Sequence, residues 1–284
     1  MRRIALLTLW IVASALATSA QVSYTFTSLD VPGSSLTRAH GINFRGDIVG
    51  LFIKNGGHGF LRHDGTYTTI DFPGSTFTSA RGINSSGTIA GGYVDSNGAN
   101  HGYILAGGTF TSFDFPGATF TDAYGINNAG DIVGDYLDGA GANHGFLLKN
   151  GTFSSFDAPN AAITGAKGIN DALTISGTAI SASGVDSGFL LKNGGFSSIV
   201  FPGAVPTDVF KLSNTNQIVG FYTDTSGVIH GFTRTAAGYQ TLDFPGSTQT
   251  TALGVNVLVS VVGGYVDASG HTHGFLARPN SKLN

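Results

Sequence analysis

The chain of 284 residues contains no cysteine, and only 11% of its residues are charged. Without cysteine the protein has no disulfides and no thiol nucleophile, so its own core has to hold the fold together. The 14 basic and 17 acidic side chains nearly cancel, giving a formal net charge of -3. Proteins that bind nucleic acid or anionic membranes usually carry a basic surface, so this balance predicts neither partner.

Glycine and phenylalanine are plentiful where charge is scarce. The 43 glycines follow no three-residue period, which excludes collagen. A hydrophobic content of 41%, with 21 phenylalanines, disfavours disorder. The composition therefore predicts a globular chain with many turns.

The first twenty residues have the pattern of a secretory signal. Arg2 and Arg3 form a basic start, residues 4–17 are almost wholly apolar, and small residues end at Ala17 and Ala20. We expect cleavage after Ala17 or Ala20 and a secreted, periplasmic or extracellular protein. The apolar run is shorter than the ~20 residues that a membrane-spanning helix needs, so we expect no membrane insertion after cleavage.

An internal repeat with a period of 43 residues organises the rest of the chain, residues 21–284, into a single domain. The tripeptide His-Gly-Phe/Tyr marks the copies, with Ser187 in place of histidine in the fourth. The motifs Gly-Ile-Asn and Asp-Phe-Pro-Gly follow the same period and also give six copies. Repeats of this length, rich in β-branched and aromatic residues, are typical of propeller blades or solenoid coils.

Each copy has the strand content of one propeller blade. The third copy contains four short runs typical of β-strands, at 122–127, 131–137, 144–149 and 152–157. Between the last two runs, Asn150 and Gly151 predict a type I′ hairpin turn, in which both central residues have positive φ. Four strands in one repeat correspond to one blade.

The turn between the first two runs predicts a difference among the copies. Gly46, Gly87 and Gly130 stand where a left-handed residue is needed, and Asn216 is an acceptable substitute. The equivalent Leu173 and Val259 are unsuited to that conformation. We therefore expect a different turn in the fourth and sixth copies.

The two ends of the chain distinguish a ring from a solenoid. Residues 24–30 match the fourth run of a repeat, whereas the last copy stops after its third run at 273–278. In a ring these two segments pair and remove an exposed sheet edge, which a solenoid would not need. The sequence predicts an all-β, six-bladed β-propeller with four strands per blade, closed by the N-terminal strand in the last blade.

The repeat also resembles a known family. The pattern Gly-Ile-Asn-x-x-Gly-x-Ile-Val-Gly, followed by His-Gly-Phe-Leu, resembles the bacterial extracellular HAF repeat over nearly all of the mature chain. The motif's alanine is glycine here, at Gly59, Gly102 and Gly145. The resemblance implies an exported repeat protein and transfers no catalytic residue.

Histidine and aspartate are predicted to face each other across the outer hairpins. Counting outward from the Asn150-Gly151 turn places His144 opposite Asp157, close enough for imidazole to bond carboxylate. We predict structural pairs of the same kind in five copies: His58 with Asp71, His101 with Asp114, His144 with Asp157, His230 with Asp243, and His273 with Asp30. The fourth copy has Ser187 and Val200 instead. Separate pairs cannot supply the three or four converging ligands that a metal needs, so we expect no metal.

Other catalytic or cofactor motifs are missing from the sequence. No serine stands in a Gly-x-Ser-x-Gly elbow, and no phosphate-binding Gly-x-x-x-x-Gly-Lys-Ser/Thr motif occurs. The segments 95–98 and 267–270 hint at calcium but lack the further acidic ligands that it needs. We assign no catalytic residue and no cofactor.

Candidate ligand contacts lie where the repeat varies. The residue before each Gly-Ile-Asn position, which we call the channel slot, is His40, Arg81, Tyr124, Lys167, Phe210 and Leu253 in the six copies. On innermost first strands these side chains would ring the central channel, although the position also suits tolerant packing between blades. Asp135, at a varying position of the second strand, is a further candidate of this kind.

Two function classes follow from these observations. The first is an exported, monomeric, non-catalytic module that binds a glycan, a peptide or a small polar ligand. The alternative is a hydrolase or lyase that uses His40, Arg81, Tyr124 and Lys167 in the channel. Convergence of these four side chains on one cavity would favour an enzyme or a small-ligand site over packing between blades.

Overall fold

All regular elements are β-strands in the computed structural model, which describes residues 21–204 and 206–280. The predicted signal at residues 1–20 lies outside this part. The 24 strands are, in chain order, β1 (Tyr24–Leu29), β2 (Leu36–Ile42), β3 (Ile48–Ile53), β4 (Gly57–His63), β5 (Thr66–Ile70), β6 (Phe77–Ile83), β7 (Ile89–Val94), β8 (Asn100–Ala106), β9 (Thr109–Phe113), β10 (Phe120–Ile126), β11 (Ile132–Leu137), β12 (Asn143–Lys149), β13 (Thr152–Phe156), β14 (Ala161–Ile169), β15 (Ile175–Ser181), β16 (Asp186–Lys192), β17 (Gly195–Ile199), β18 (Thr207–Leu212), β19 (Ile218–Thr223), β20 (Ile229–Thr235), β21 (Gly238–Thr241), β22 (Gln249–Val255), β23 (Val261–Val266) and β24 (Thr272–Pro279).

The strands form six four-stranded antiparallel units, one for each repeat. Five units are continuous in the chain and run β2–β5, β6–β9, β10–β13, β14–β17 and β18–β21. The sixth unit combines β22–β24 with β1, which pairs antiparallel with β24 from Tyr24 opposite Pro279 to Leu29 opposite Gly274. The N-terminal strand is therefore the fourth strand of the last unit.

The first strand of each unit lies against the first strand of the next. These contacts join β2 to β6, β6 to β10, β10 to β14, β14 to β18 and β18 to β22, and β22 also contacts β2. We number the units as blades 1 to 6 from β2 onward, so that β1 belongs to blade 6. Residues of all six first strands line a common axial space, which we call the channel.

A buried aromatic ring and a glycine build the core of each blade. In blade 3, the ring of Phe146 is fully buried and lies over Gly134 on the neighbouring second strand. A Cβ atom on Gly134 would lie 2.7 Å from that ring and 1.9 Å from the carbonyl oxygen of Asp122. The last glycine of Ile-Val-Gly therefore leaves room for the aromatic residue of the following His-Gly-Phe/Tyr.

The predicted outer hairpin turn is confirmed. Asn150 and Gly151 have φ values of 50° and 75°, and Asp64-Gly65, Gly107-Gly108 and Asn193-Gly194 are likewise positive at both positions. Positive φ at both central residues is the requirement of the type I′ turn.

The expectation of a different first turn in blades 4 and 6 is wrong. Leu173 and Val259 have φ values of 56° and 63°, the left-handed conformation that Gly130 adopts at 87°. In blade 4, Asn170 Oδ1 accepts hydrogen bonds from the backbone N–H groups of Ala172 and Thr174, at 3.1 and 3.0 Å. Each such hydrogen bond contributes about 0.5–1.5 kcal/mol. Together the two bonds offset the cost of a non-glycine residue in the left-handed conformation, which is about 1–2 kcal/mol.

Candidate functional site

The six channel-slot residues are the extra residues of β-bulges. In every blade the register between the first and second strands shifts across the slot, for example between Ala123 and Gly125 on either side of Tyr124. A bulge leaves its extra residue without a cross-strand partner and redirects the side chain. All six slot residues consequently line one cavity in the channel, together with Lys211.

The slot cavity is small because the side chains themselves fill it. Its volume is about 30 Å³, which is room for a single water molecule. The convergence expected of a ligand site is therefore present, whereas the space for a substrate is not. Phe210 packs against Phe221 at a ring separation of 5.6 Å, and Leu253 is buried, so blades 5 and 6 form the apolar side.

Arg81 and Lys167 flank Tyr124 and each has a carboxylate partner. Arg81 Nη2 lies 2.8 Å from Asp122 Oδ2, and Lys167 Nζ lies 3.3 Å from Asp135 Oδ2. The Arg81 guanidinium carbon and Lys167 Nζ lie 4.4 and 3.5 Å from the centre of the Tyr124 ring. The candidate Asp135 thus pairs with the slot residue Lys167, and Asp122, which the sequence analysis did not single out, pairs with the slot residue Arg81.

The pKa values of this cluster follow from burial and charge together. Burial alone would lower the pKa of Lys167, but Asp135, Tyr124 and Asp122 together outweigh burial and raise the pKa. Burial raises the pKa of Asp122 despite the opposing charge of Arg81. The pKa of His40 lies well below its ordinary value because of burial and the charges of Arg81, Arg38 and Lys211, so His40 is a neutral imidazole.

Lys211 is a channel residue that the slot pattern did not reveal. From blade 5 it reaches across to blades 2 and 3, where Nζ donates to the carbonyl oxygens of Arg81 and Tyr124 at 2.7 and 2.6 Å. Burial and the charges of Arg81 and Lys167 lower its pKa to about 7. Its signal in the sequence is a lysine in the glycine position of the fifth Gly-Ile-Asn copy.

The channel widens at the ends of the first strands into a cavity that we call the mouth. This cavity has a volume of about 230 Å³. An apolar ring forms its floor, and the residues of the following turns form its rim. The floor consists of Ile42, Ile83, Ile126, Ile169, Leu212 and Val255, and the rim includes Phe44, Ser85, Asn128, Asp171, Asn214 and Val257.

The rim is polar and hydrogen-bonded on one side and apolar on the other. Asp171 accepts two hydrogen bonds from Asn128, from the backbone N–H at 2.9 Å and from Nδ2 at 2.8 Å, and a further one from Asn214 Nδ2. In blade 1, three repeats away from Asp171, the side chain of Phe44 is 56% exposed. The mouth is therefore lined by fixed polar groups from blades 3 to 5 and by an exposed aromatic residue from blade 1.

A belt of asparagine amides joins neighbouring blades beneath the rim. Asn43 Nδ2 donates to Asn84 O at 3.2 Å, and Asn256 Nδ2 donates to Asn43 O at 3.0 Å. Asn84, Asn127 and Asn170 make the equivalent bonds to the next blade. Ser213 has no amide to continue the belt from blade 5 to blade 6. The asparagine of Gly-Ile-Asn thus connects blades.

The predicted His–Asp pairs lie within hydrogen-bond distance at the periphery, away from the mouth and the slot. The Nδ1 atoms of the five histidines lie 2.9, 2.9, 2.9, 2.7 and 2.9 Å from their partner carboxylates, in chain order. His144 Nε2 also lies 3.5 Å from Asp138. Burial would lower the pKa of His144, but Asp157 and Asp138 outweigh it and raise the pKa.

In the two loops that hinted at calcium, the aspartate side chains accept hydrogen bonds from the backbone of their own turns. Asp95 Oδ1 accepts the backbone N–H groups of Asn97 and Ala99, both at 2.8 Å, and Asp267 makes the equivalent bonds. Within residues 21–204 and 206–280, no three His, Asp or Glu side chains are grouped as metal ligands. In that same part of the chain, no helix is long and apolar enough to cross a membrane.

Comparison with known proteins identifies the fold. No known family matches the chain, and no curated protein matches it. Among solved structures, AofleA from Arthrobotrys oligospora is similar with a TM-score of 0.53 at 12% identity, over 91% of this chain and 84% of AofleA. A fucose-binding lectin from Aleuria aurantia, described as a six-bladed β-propeller, has a TM-score of 0.52 at 9% identity, over 88% and 93% of the two chains.

The chain has a β-propeller fold. TolB from Acinetobacter baumannii is also similar in structure, with a TM-score of 0.53 at 10% identity over 84% of this chain. The match covers 53% of the TolB chain. At these identities the similarity concerns the fold alone.

Proposed function

We propose that this propeller is an exported, non-catalytic carbohydrate-binding module that holds a saccharide unit at the mouth. The observation that carries the proposal is the rim, where Asn128, Asp171 and Asn214 are fixed by hydrogen bonds and Phe44 is exposed. A pyranose ring has hydroxyl groups at its edge and a less polar face. The polar rim suits those hydroxyl groups, and an aromatic ring suits that face.

The size and charge of the cavities support binding at the mouth rather than reaction in the slot. The mouth, at about 230 Å³, is nearly eightfold larger than the slot cavity of about 30 Å³. The two slot cations already have carboxylate partners. The slot residues converge as an enzyme or small-ligand site would require, but their cavity of about 30 Å³ leaves no room for a substrate, so the enzyme alternative is not favoured and the slot residues stay a predicted ligand site.

The architecture that we infer is a six-bladed ring closed by β1 in blade 6. The antiparallel pairing of β1 with β24, the contact of β22 with β2, and the amide bond from Asn256 to Asn43 support it. The relatives contribute only a ligand class: the Aleuria aurantia lectin has been solved with Fucα1-6GlcNAc and with α-methyl-L-fucoside. For this chain we propose glycans as the class of ligand, without naming a particular sugar.

Export is inferred from the leader and from the resemblance to HAF-repeat proteins. N-terminal sequencing of the secreted protein should find a start at Thr18 or Gln21. Retention of residues 1–20 in the exported protein would contradict the proposed signal.

Binding is tested on a glycan array, followed by calorimetry of the glycans retained by residues 21–284. Replacing Phe44 with alanine should weaken binding about tenfold, or about 1.4 kcal/mol, because the aromatic contact is lost. Leu258 is the matched control, since it is 54% exposed and does not line the mouth. Leu258→Ala should bind normally. An array without retained glycans, or equal affinity in both variants, would reject the proposal.

A further inference from the structure

A second axial cavity lies directly beneath the mouth. Its volume is about 60 Å³, and it shares with the mouth the whole apolar floor. Its remaining lining residues are Gly41, Gly82, Gly125 and Lys211. The cavity therefore separates the mouth from the slot, with backbone and aliphatic walls and one cationic side chain.

Lys211 is a buried cation without a carboxylate partner among the described residues. The carboxylates nearest the slot, Asp122 and Asp135, form their ion pairs with Arg81 and Lys167. The Lys211 ammonium has three N–H donors, and two of them are used by the carbonyl oxygens of Arg81 and Tyr124. Since an isolated buried charge is costly, a negative partner beside this group would stabilise it.

We propose that this cavity binds one small monovalent anion, with the Lys211 ammonium as its counter-charge. A cavity of about 60 Å³ holds one or two water-sized particles. Glycine and aliphatic walls suit a weakly hydrated anion such as chloride or bromide. A larger oxyanion would need several donors for its oxygen atoms, and the lining side chains offer only the lysine.

The other charged and titratable groups facing Lys211 agree with an anion there. They line the slot cavity together with Lys211 and come from four first strands: His40 on β2, Arg81 on β6, Tyr124 on β10 and Lys167 on β14. Burial and, after it, the paired cations Arg81 and Lys167 disfavour the charge on Lys211 and lower its pKa to about 7. A bound anion would oppose that repulsion and raise the pKa.

Chloride-35 NMR on residues 21–284 tests the site at pH 6, with sodium chloride as the probe. We expect a saturable line broadening that bromide reverses by competition. Lys211→Met should abolish the broadening, whereas Lys192→Met, at an exposed lysine of blade 4, should retain it. No saturable broadening, or equal broadening in Lys211→Met, would overturn the proposal.

Two measurements keep the proposal testable if Lys211→Met does not fold. Crystals of the unaltered protein soaked in sodium bromide should show an anomalous peak beside Lys211 Nζ, and a peak only elsewhere would count against the site. Chloride affinity should also fall about tenfold per pH unit above the pKa of about 7, because the Lys211 ammonium loses its proton there and with it the positive charge that attracts the anion. Affinity that is constant from pH 6 to 9 would contradict the role of Lys211.

Discussion

At the scale of single residues, the turn between the first and second strands of a blade depends on the asparagine three positions before its left-handed residue. Leu173 and Val259 adopt positive φ because Asn170 and Asn256 hold their turns with side-chain hydrogen bonds. Glycine at the equivalent position of other blades, such as Gly130, only removes a steric cost. The low preference of leucine and valine for positive φ therefore gave the wrong prediction for this turn. The asparagine whose side chain holds the turn was visible in the sequence.

The His–Asp pairs should stabilise the blades in a pH-dependent way. His144→Ala should lower the free energy of unfolding by about 0.5–1 kcal/mol, a modest value because Asp157 is half-exposed. The folded-state pKa of His144 is raised. The stabilisation is therefore complete below the ordinary histidine pKa near 6.5 and is lost as the pH rises through the raised value.

Urea unfolding at pH 5.5 and pH 8.5 measures this effect, with Ser187→Ala in blade 4 as the matched control. The difference between unaltered protein and His144→Ala should be larger at pH 5.5. The serine variant should show no such change. A gap of equal size at both pH values would mean that the histidine contributes by packing alone.

At the scale of elements, the N-terminal strand completes the last blade. A chain that begins at Leu36 lacks β1 and exposes the edge of β24 from Gly274 to Pro279. Unpaired strand edges promote association between chains, so this protein should aggregate or lose much of its stability. Size-exclusion chromatography and thermal unfolding measure both effects.

A permuted chain supplies the control for this truncation. Placing residues 22–35 after residue 280 returns the same strand to the same edge, and it should restore a monomer with nearly normal stability. If the truncated chain is itself monomeric and melts with the mature protein, ring closure through β1 is not required.

Strand positions were predictable because the same strand pattern recurs in six copies of the repeat. The outer hairpins follow from turn residues such as Asn150-Gly151, and the His–Asp distances follow from counting outward from that turn. The bulge at the slot was not predictable, because an extra residue leaves the spacing of the motif unchanged. The pairing of Arg81 with Asp122 depends on that bulge and on the adjacent blade, so the counter-charges were missed.

At the scale of the whole molecule, Lys211 couples global stability to pH in the opposite sense to the histidines. Its pKa is about 7 in the folded protein, against 10.5 for an ordinary lysine. Between these values the unfolded chain binds a proton that the folded chain has released. Stability therefore rises with pH across this range.

Urea unfolding in halide-free buffer at pH 7, 8 and 9 checks this coupling. The unaltered protein should gain stability relative to Lys211→Met as the pH increases. Lys192→Met should follow the unaltered protein. A constant difference between unaltered protein and Lys211→Met would show that Lys211 keeps its ordinary pKa on folding.

The register between β1 and β24 also determines how the propeller responds to mechanical force. Tyr24 lies opposite Pro279, so the two chain ends leave the sheet at the same end of the ladder. Tension between the termini would open the pairs one after another from that end, instead of shearing the whole ladder at once. A propeller held by both termini should therefore unfold at low force even if it is stable to heat. When it is held by one terminus only, no force acts across the pairing of β1 with β24.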